Sequence, residues 1–391
     1  MDYEEQADHL KAYGLVFEAI DKGYECHWLL NYRGGSFVVL DADKFIIQKA
    51  LLKGVSYENY SASALISLMG ELKSPSTNTN TVELERVPKI AVYSPAGKQP
   101  WDDAVTLVLT YAEIPFETIY DDEVLGGKLS QYDWLHLHHE DFTGQYGKFY
   151  GAYRDAAWYI NQKSQFEAHA KSLGFNKVSK AKGAVAEVIS EYVNQGGFLF
   201  AMCSATDSYD IALASRNTDI CESMFDGDPS SPGATLAMDY DRCFAFENFD
   251  LVMNPLRYEY SSIDITDQRV RRVKEEQDYF ELFDFSAKYD VVPTILVQNH
   301  TALVKGFYGQ TTAYDIKTLK PSTTVLGKSK TDAAARYIHG TYGEGYWTFY
   351  GGHDPEDYQH RVGDEPTDEV VDEIETETES LRKAVASASH F

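Results

Sequence analysis

Cys203 ends one apolar run, FLFAM (198–202), and opens a polar one, SATDS. A thiol between a strand and a helix sits at the carboxyl edge of a sheet, where open α/β folds bind ligands. The helix N-terminus there aims unpaired N–H groups and positive partial charge at the sulfur. That favours the thiolate, the form that attacks a carbonyl carbon. A tight elbow needs small residues two positions to either side. Ala201 and Ala205 supply them in A-M-C-S-A, a looser version of the G-x-nucleophile-x-G pattern. Ser204 and Asp207, spaced S-x-x-D, read as a capping box that starts the helix. The competing reading is a buried structural cysteine ahead of a capped helix.

A thiolate needs a base. His353, in FYGGHDPED, follows an apolar strand and two glycines, with Asp354, Glu356 and Asp357 close enough to orient an imidazole and raise its basicity. The Cys203–His353 pairing is spatial and depends on the fold; a histidine in a turn is otherwise a surface residue. A second cluster is WLHLHHED (134–141). Period-2 alternation puts His136 and His138 on one face and His139 on the other. With Glu140 and Asp141, and with His300 or His339 from elsewhere, it offers ligands of the type zinc takes. Strand-end histidines satisfied by hydrogen bonds are the commoner case, so no metal is assigned and the cluster is kept as pocket lining. SPAGKQPWDD (94–103) is a Gly/Pro turn, neither a Walker loop nor GxGxxG, so no nucleotide cofactor is expected. Its Trp101 and Asp102 are candidate binding residues.

The elements that must position these groups follow from periodicity. Residues 7–22 read as a helix ending at Gly23, and apolar runs at 26–31 and 36–40 as strands about the turn Arg33-Gly34-Gly35. A helix at 42–53, a strand near 55–60 and a helix at 62–72 complete an N-terminal α/β segment, residues 1–75. KSPSTNTNT (73–81) has linker composition, and the linker is set at 76–87. From residue 88 strands and helices alternate: a strand at 88–95, a helix at 102–114, strands in FETIYD and YDWLHLHHEDF, a helix at 180–197, then FLFAM. An aromatic, Gly-rich insertion occupies 142–160. This alternation predicts a flavodoxin-like α/β domain over 88–362, with a mostly parallel sheet and helices on both faces. A loop-rich section (215–240), strands near 244–253 and 291–298, and a βαβ-like stretch ending at 343–360 follow. The tail, 363–391, is an acidic charge run.

The chain has 391 residues and a formal net charge of −26. So negative a surface is repelled by phosphate backbones and anionic lipid, which disfavours nucleic-acid and membrane partners. No stretch of 18 apolar residues is present, so no transmembrane segment is expected. The 28 Tyr and 5 Trp can line a groove for sugars or peptides, or simply fill sheets. The four cysteines form no CxxC pair, which excludes a zinc ribbon; a Cys221–Cys243 bridge is left open.

Two stretches, YVNQGGFLFAMC (192–203) and YGEGYWTFYGGHD (342–354), resemble the class I glutamine amidotransferase-like superfamily, most closely its ThuA-like (trehalose-utilisation-type) branch. More closely still, HLKAYG, WLLNYRGGSF, KQPWDDAVTLVLTYAEIP, HLHHEDFTGQYGKFY, FAMCSATDS, MFDGD and YGGHDPEDYQH are similar to a group of Bacteroidota proteins that carry the name asparagine synthetase B. The resemblance implies a Cys–His–Glu hydrolase or amidotransferase acting on an amide or related acyl carbon, with Cys203 as nucleophile, His353 as proton carrier and Glu356 or Asp354 orienting it. It also implies a periplasmic or secreted setting, because members open with a secretory signal and an extra strand that this sequence begins after. Synthesis of asparagine from glutamine, the reaction in the group's name, needs an N-terminal Cys and a Ser-Gly-Gly-Leu-Asp-Ser loop, and neither is in this sequence. In the alternative, the same cleft binds a saccharide or peptide without turnover, through Tyr146, Tyr150, Trp158 and the histidines. The substrate is a small molecule or saccharide in either case, and an oligomer is compatible with both.

Overall fold

Ala12, Leu15, Val16 and Ala19 recur at helical spacing and are buried along α1 (His9–Asp21). Asp8 caps this helix by accepting the Lys11 N–H, and Gly23 at φ +85° ends it. The computed structural model describes residues 8–95, 104–266, 279–282, 286–288, 303–305, 311, 313–329 and 334–352. After α1, β1 (Cys26–Leu30) and β2 (Ser36–Val39) pair antiparallel, and α2 (Lys44–Leu52) and α3 (Ala62–Leu72) follow as expected. Residues 55–60, expected as a strand, form none. The second edge of β1 is taken instead by β3 (Asn80–Leu84), drawn from the expected linker, with Trp28 opposite Val82 and Cys26 opposite Leu84. The linker's threonines build the turn before it: Thr77 and Thr79 both donate to the Leu72 carbonyl.

The second sheet holds the site. Its elements in chain order are β4 (Ile90–Tyr93), α4 (Ala104–Ala112), β5 (Glu117–Ile119), α5 (Asp121–Leu125), β6 (Trp134–Leu137), α6 (Tyr150–Tyr153), α7 (Ala157–Ser172), α8 (Val178–Asn194), β7 (Phe198–Met202), α9 (Ser204–Ala214), α10 (Ser223–Asp226), β8 (Tyr279–Leu282), β9 (Leu303–Lys305), β10 (Thr324–Lys328), β11 (Ala335–Tyr342) and β12 (Gly345–Tyr350). The strands lie in the order β5-β4-β6-β7-β12-β11-β10-β8-β9. The first five run parallel and the rest continue antiparallel, so the fold is a mixed α/β one. One face of the parallel half, Leu135, Leu137, Leu199 and Ala201, packs with Val185, Ala186, Ile189 and Val193 of α8 in the main core. The step from β4 to β5 runs opposite to those from β5 through β6 to β7. Right-handed crossovers therefore put α4 on the other face, where α1 packs on it with Gly14 against Ala112.

Three further expectations change. The last stretch is not βαβ-like: β11 and β12 form an antiparallel hairpin that turns at Gly343, φ +59°. The strand near 244–253 is reduced to single bridges, Phe246 to Leu319 and Leu251 to Ser261. Its N–H groups are engaged elsewhere, because the Asp210 carboxylate accepts from Phe244, Ala245 and Phe246 at 2.8, 2.8 and 3.0 Å. The 16-residue α7, which no amphipathic stripe announced, begins within the last residues of the aromatic insertion. The strand expected at 291–298 lies outside the described residues.

Helix α9 is buried along its whole length although Ser204, Thr206, Asp207, Ser208 and Asp210 are polar. Asp207 accepts the Thr311 hydroxyl at 3.0 Å and the Ser208 N–H at 2.9 Å. Its other oxygen, Oδ2, is buried without a partner. Burial first, and then nearby Asp264, push the Asp207 carboxyl well above the usual carboxylate range.

Two outcomes follow for stability. A methyl group added at Gly14 would lie 1.6 Å from the Ala112 carbonyl oxygen, so Gly14→Ala should lower unfolding stability by about 2–3 kcal/mol in urea; a loss within error of zero would show that α1 does not depend on this approach. The folded protein holds the Asp207 proton to a higher pH than the unfolded chain does, so the stability this group contributes is full below about pH 4 and falls as pH rises. Asp207→Asn does not ionise and should gain on the wild type between pH 5 and pH 8, by up to about 1.4 kcal/mol per pH unit. Parallel stability–pH curves for the two proteins would overturn this.

Candidate functional site

Strand β7 lies between β6 and β12, so its carboxyl end is flanked by the ends of both neighbours. Cys203 follows it at φ 51°, ψ −138°, a backbone conformation that costs an L-residue energy and is held by its surroundings. Its N–H donates to the Tyr350 carbonyl of β12 at 3.1 Å, and its carbonyl accepts from the Thr206 N–H and hydroxyl at 3.2 and 2.7 Å. Ala201 and Ala205 are fully buried to either side, so the elbow admits no larger side chain there. The N–H groups of Ser204 and Ala205 lie in the first turn of α9, ahead of any intrahelical acceptor. The expected capping box does not form. Cys203 itself is the N-cap and Ser204 the first helical residue, so the Ser204 hydroxyl donates to the His139 carbonyl at 2.8 Å and Asp207 turns to Thr311.

The described chain of β12 continues to Gly352, whose N–H donates to the same Tyr350 carbonyl that holds Cys203. His353 is the next residue in sequence. His353, Asp354 and Glu356, with Trp101, Asp102 and His300, lie outside the described residues.

The histidine cluster is placed at the neighbouring strand end. His136 and His138 share a face, with ring centroids 6.2 Å apart, and His136 stacks on Phe200. His139 does not point away as alternation predicted. Strand β6 stops at Leu137, the chain turns, and the His139 ring comes to His138 with Nδ1–Nδ1 3.1 Å. The Glu140 carboxylate accepts the His138 N–H at 3.2 Å, and the Glu140 carbonyl accepts the Ser208 hydroxyl at 3.1 Å. His339 is in register with Thr348, Phe200 and His136, three inter-strand steps or about 14 Å away, too far to share an ion. Its Nδ1 pairs with Thr348 Oγ1, and burial pushes its pKa down to about 4. Among the described residues the donors that do converge are Asp219, Cys221 and Asp226, and the Lys177 ammonium sits on both carboxylates at 2.7 and 3.0 Å, supplying the positive charge itself.

Around the elbow lies a set of polar residues of which sequence reading singled out Asp141, Tyr146 and Asp207 but not Asp264, Thr311, Lys148 or Tyr260. Asp264 accepts the N–H groups of Thr266 and Thr311 at 2.8 and 3.2 Å, and burial pushes it up to about 6. Thr311 thus joins Asp264 to Asp207. The Asp141 carboxylate organises the loop after β6 by accepting from Thr143 and Gly147. In that loop Tyr146, Gly147 and Lys148 are all left-handed, at φ 52°, 68° and 60°. The buried Lys148 donates to the Val252 carbonyl at 2.7 Å, which ties the loop to the 252–264 segment, and burial pushes its ammonium down to about 8. Tyr260, on that segment, is 1% exposed, shares the core cluster of Ala205, and feels the charges of Asp141, Asp207 and Cys203. The only sequence signal for these groups is alternation, in YEYSSID (258–264), of a kind any core strand shows. All four cysteines are buried and none is in a disulfide; Cys221 donates to the Thr143 carbonyl and Cys243 to that of Asp210, so the bridge left open between them is not formed.

No helix among the described residues is long and apolar enough to cross a membrane. No family model matches the chain, and no curated protein matches it. Among solved structures it is similar to two cytoplasmic proteins of Salmonella typhimurium, each at 10% identity over 68% of this chain and 87% of that one, with TM-scores of 0.31 and 0.32. It is also similar to Gan42B, a GH42 beta-galactosidase of G. stearothermophilus, at 13% identity and a TM-score of 0.29, over 78% of this chain and 31% of that one. Likenesses this slight define no shared family.

Proposed function

We propose that this protein is an amidotransferase-like cysteine hydrolase that acts on an amide or related acyl carbon through Cys203. The observation that carries the reading is the Cys203 backbone. A thiol-bearing residue in a strained left-handed conformation, between a parallel strand and a helix and with alanine two residues to either side, has the form of a nucleophile elbow. The strand order supports it. Taken along the chain, the parallel five run 2-1-3-4-5, the flavodoxin-like order, in which ligands bind beyond the carboxyl ends of the strands.

In this reading the Cys203 thiolate attacks the acyl carbon, the carbonyl pair moves to oxygen, and the first N–H groups of α9 face the oxyanion. His353, which follows Gly352 in sequence, takes the thiol proton and returns it to the leaving nitrogen, with Glu356 or Asp354 as its orienting carboxylate. His136, His138 and His139 line the neighbouring strand end, where a substrate side group would lie. The periplasmic or secreted setting belongs to the same proposal.

Thiol reactivity tests it first. Burial pushes the Cys26 thiol up to about 11, and Cys221 and Cys243 well above the ordinary thiol range, so three of the four cysteines are slow to alkylate. Iodoacetamide should label Cys203 at a rate that stays high below about pH 7, read by peptide mapping, and Cys203→Ala should abolish any amide or ester hydrolysis. Labelling of Cys203 that only tracks the other three would make it a packing residue and the cleft a binding site.

A further inference from the structure

Several buried hydroxyls among the described residues are paired. The Tyr209 hydroxyl reaches the Ala186 carbonyl at 3.3 Å, Tyr240 reaches the Phe249 carbonyl at 2.6 Å, and Tyr93 and Tyr120 both accept the Lys182 ammonium. Tyr159 and Tyr314, the latter also within reach of the Cys203 charge, have buried hydroxyls with no hydrogen-bond partner, though the Thr206 side chain lies near enough to Tyr314 to ease its ionisation. Tyr260 shares the unpartnered hydroxyl. Its side chain is buried and its hydroxyl has no hydrogen-bond partner. Its backbone is fixed by pairing along the 250–262 segment, where Val252 N–H donates to the Tyr260 carbonyl at 2.9 Å and Ser262 N–H to the Asp250 carbonyl at 2.8 Å. A buried, unpaired hydroxyl on a fixed backbone, within reach of the charge of a strained cysteine, is what an active site needs when its missing partner is the substrate.

We propose that the Tyr260 hydroxyl is a catalytic hydrogen-bond donor, which pairs with the substrate's acyl oxygen and, with the Ser204 N–H, holds the oxyanion formed when Cys203 attacks. This rests on the reading of Cys203 as nucleophile and adds a second residue to it. Sγ bonds to the acyl carbon as the carbonyl pair moves to oxygen, and the oxyanion accepts from the Tyr260 O–H and the Ser204 N–H. The pair then returns, the bond to the leaving group breaks, and the acyl group remains on sulfur as a thioester, which water hydrolyses to a carboxylate and the free thiol. The phenol stays un-ionised throughout, because burial, with Asp141 and Asp207 next, pushes it well above its ordinary range.

Two reagents separate this role from a structural one. Acetylation of Cys203 by p-nitrophenyl acetate passes through an oxyanion, whereas alkylation by iodoacetamide displaces iodide and forms none. Tyr260→Phe should slow acetylation of the Cys203 peptide about 100-fold or more. Alkylation of the same thiol should stay within about twofold of the wild-type rate, since that step forms no oxyanion. The melting temperature should not fall, since the variant removes only an unpaired buried oxygen. If both reagents label Cys203 in the variant at wild-type rates, the Tyr260 assignment is overturned and the nucleophile stands. If both slow together, or the variant melts lower, Tyr260 is a packing residue. If neither reagent labels wild-type Cys203 faster than Cys26, Cys221 and Cys243, the nucleophile reading falls and this inference with it.

Discussion

Helix α9 is the constraint on which the rest depends. A helix buried on all sides is ordinarily apolar, yet six of the eleven residues of α9 carry hydroxyls or carboxylates with no route to water. Each must find a partner inside the protein, and those partners are other segments. Ser204 and Ser208 hold the chain after β6 through the carbonyls of His139 and Glu140, and Ser208 also accepts the Phe142 N–H at 3.2 Å. Asp207 reaches Thr311, and through it Asp264. Asp210 gathers three successive N–H groups of residues 244–246. The polar helix works as a spindle that fixes three loops by hydrogen bonds, and the first of them is tied through Ser204 to the residue that follows Cys203.

Strain at the elbow is borne by the same framework. A left-handed cysteine persists only where its neighbours determine it more strongly than its own torsions do. On one side β7 is paired with β6 and β12 in register, and the Tyr350 carbonyl holds the Cys203 N–H. On the other, Ser204 is anchored to the β6 loop. The residues that pin the cysteine are therefore the ones that shape its surroundings, and displacing either strand end would move both. The left-handed run from Tyr146 to Lys148 repeats this pattern one loop away, with Asp141 and the buried Lys148 as its fasteners.

Much of this was legible in sequence, for a definable reason. Elements set by local pattern came out nearly as expected: α1, α2, α3, α8 and the strand before Cys203 each have an apolar period and a capping or breaking residue. The elbow was legible because small–x–Cys–x–small between a strand and a helix is itself local. What failed depended on distant partners. The serine and aspartate after Cys203 have capping-box spacing, but the N-cap had already been taken by the cysteine. The alternation HLHH continues past Leu137 in sequence and stops there in space, because the strand ends. A threonine-rich stretch with linker composition became β3 because β1 had an edge to fill. The 244–246 segment lost its strand to a carboxylate more than thirty residues earlier in the chain. Tyr260 was invisible, since an unpaired hydroxyl is a property of its surroundings and leaves no mark on the sequence.

One apparent conflict remains, between the acidity of the chain and the proposed thiolate. A net charge of −26, with Asp141, Asp207 and Asp264 near the elbow, should repel negative charge from Cys203. Burial alters that electrostatics. Removed from water, Asp207 holds its proton well above the usual carboxylate range, and Asp264 rises to about 6. Where Asp207 keeps its proton, its field is that of a dipole rather than a charge. The nearest oriented positive field is the first turn of α9, whose unpaired N–H groups begin at Ser204. A protein this acidic can thus keep a locally permissive site for an anion, provided its nearest carboxyls are buried deeply enough to stay protonated. The all-round burial of α9 acts in that direction on Asp207, so the burial that forces the helix to clamp its neighbours also weakens the charge that would oppose the chemistry.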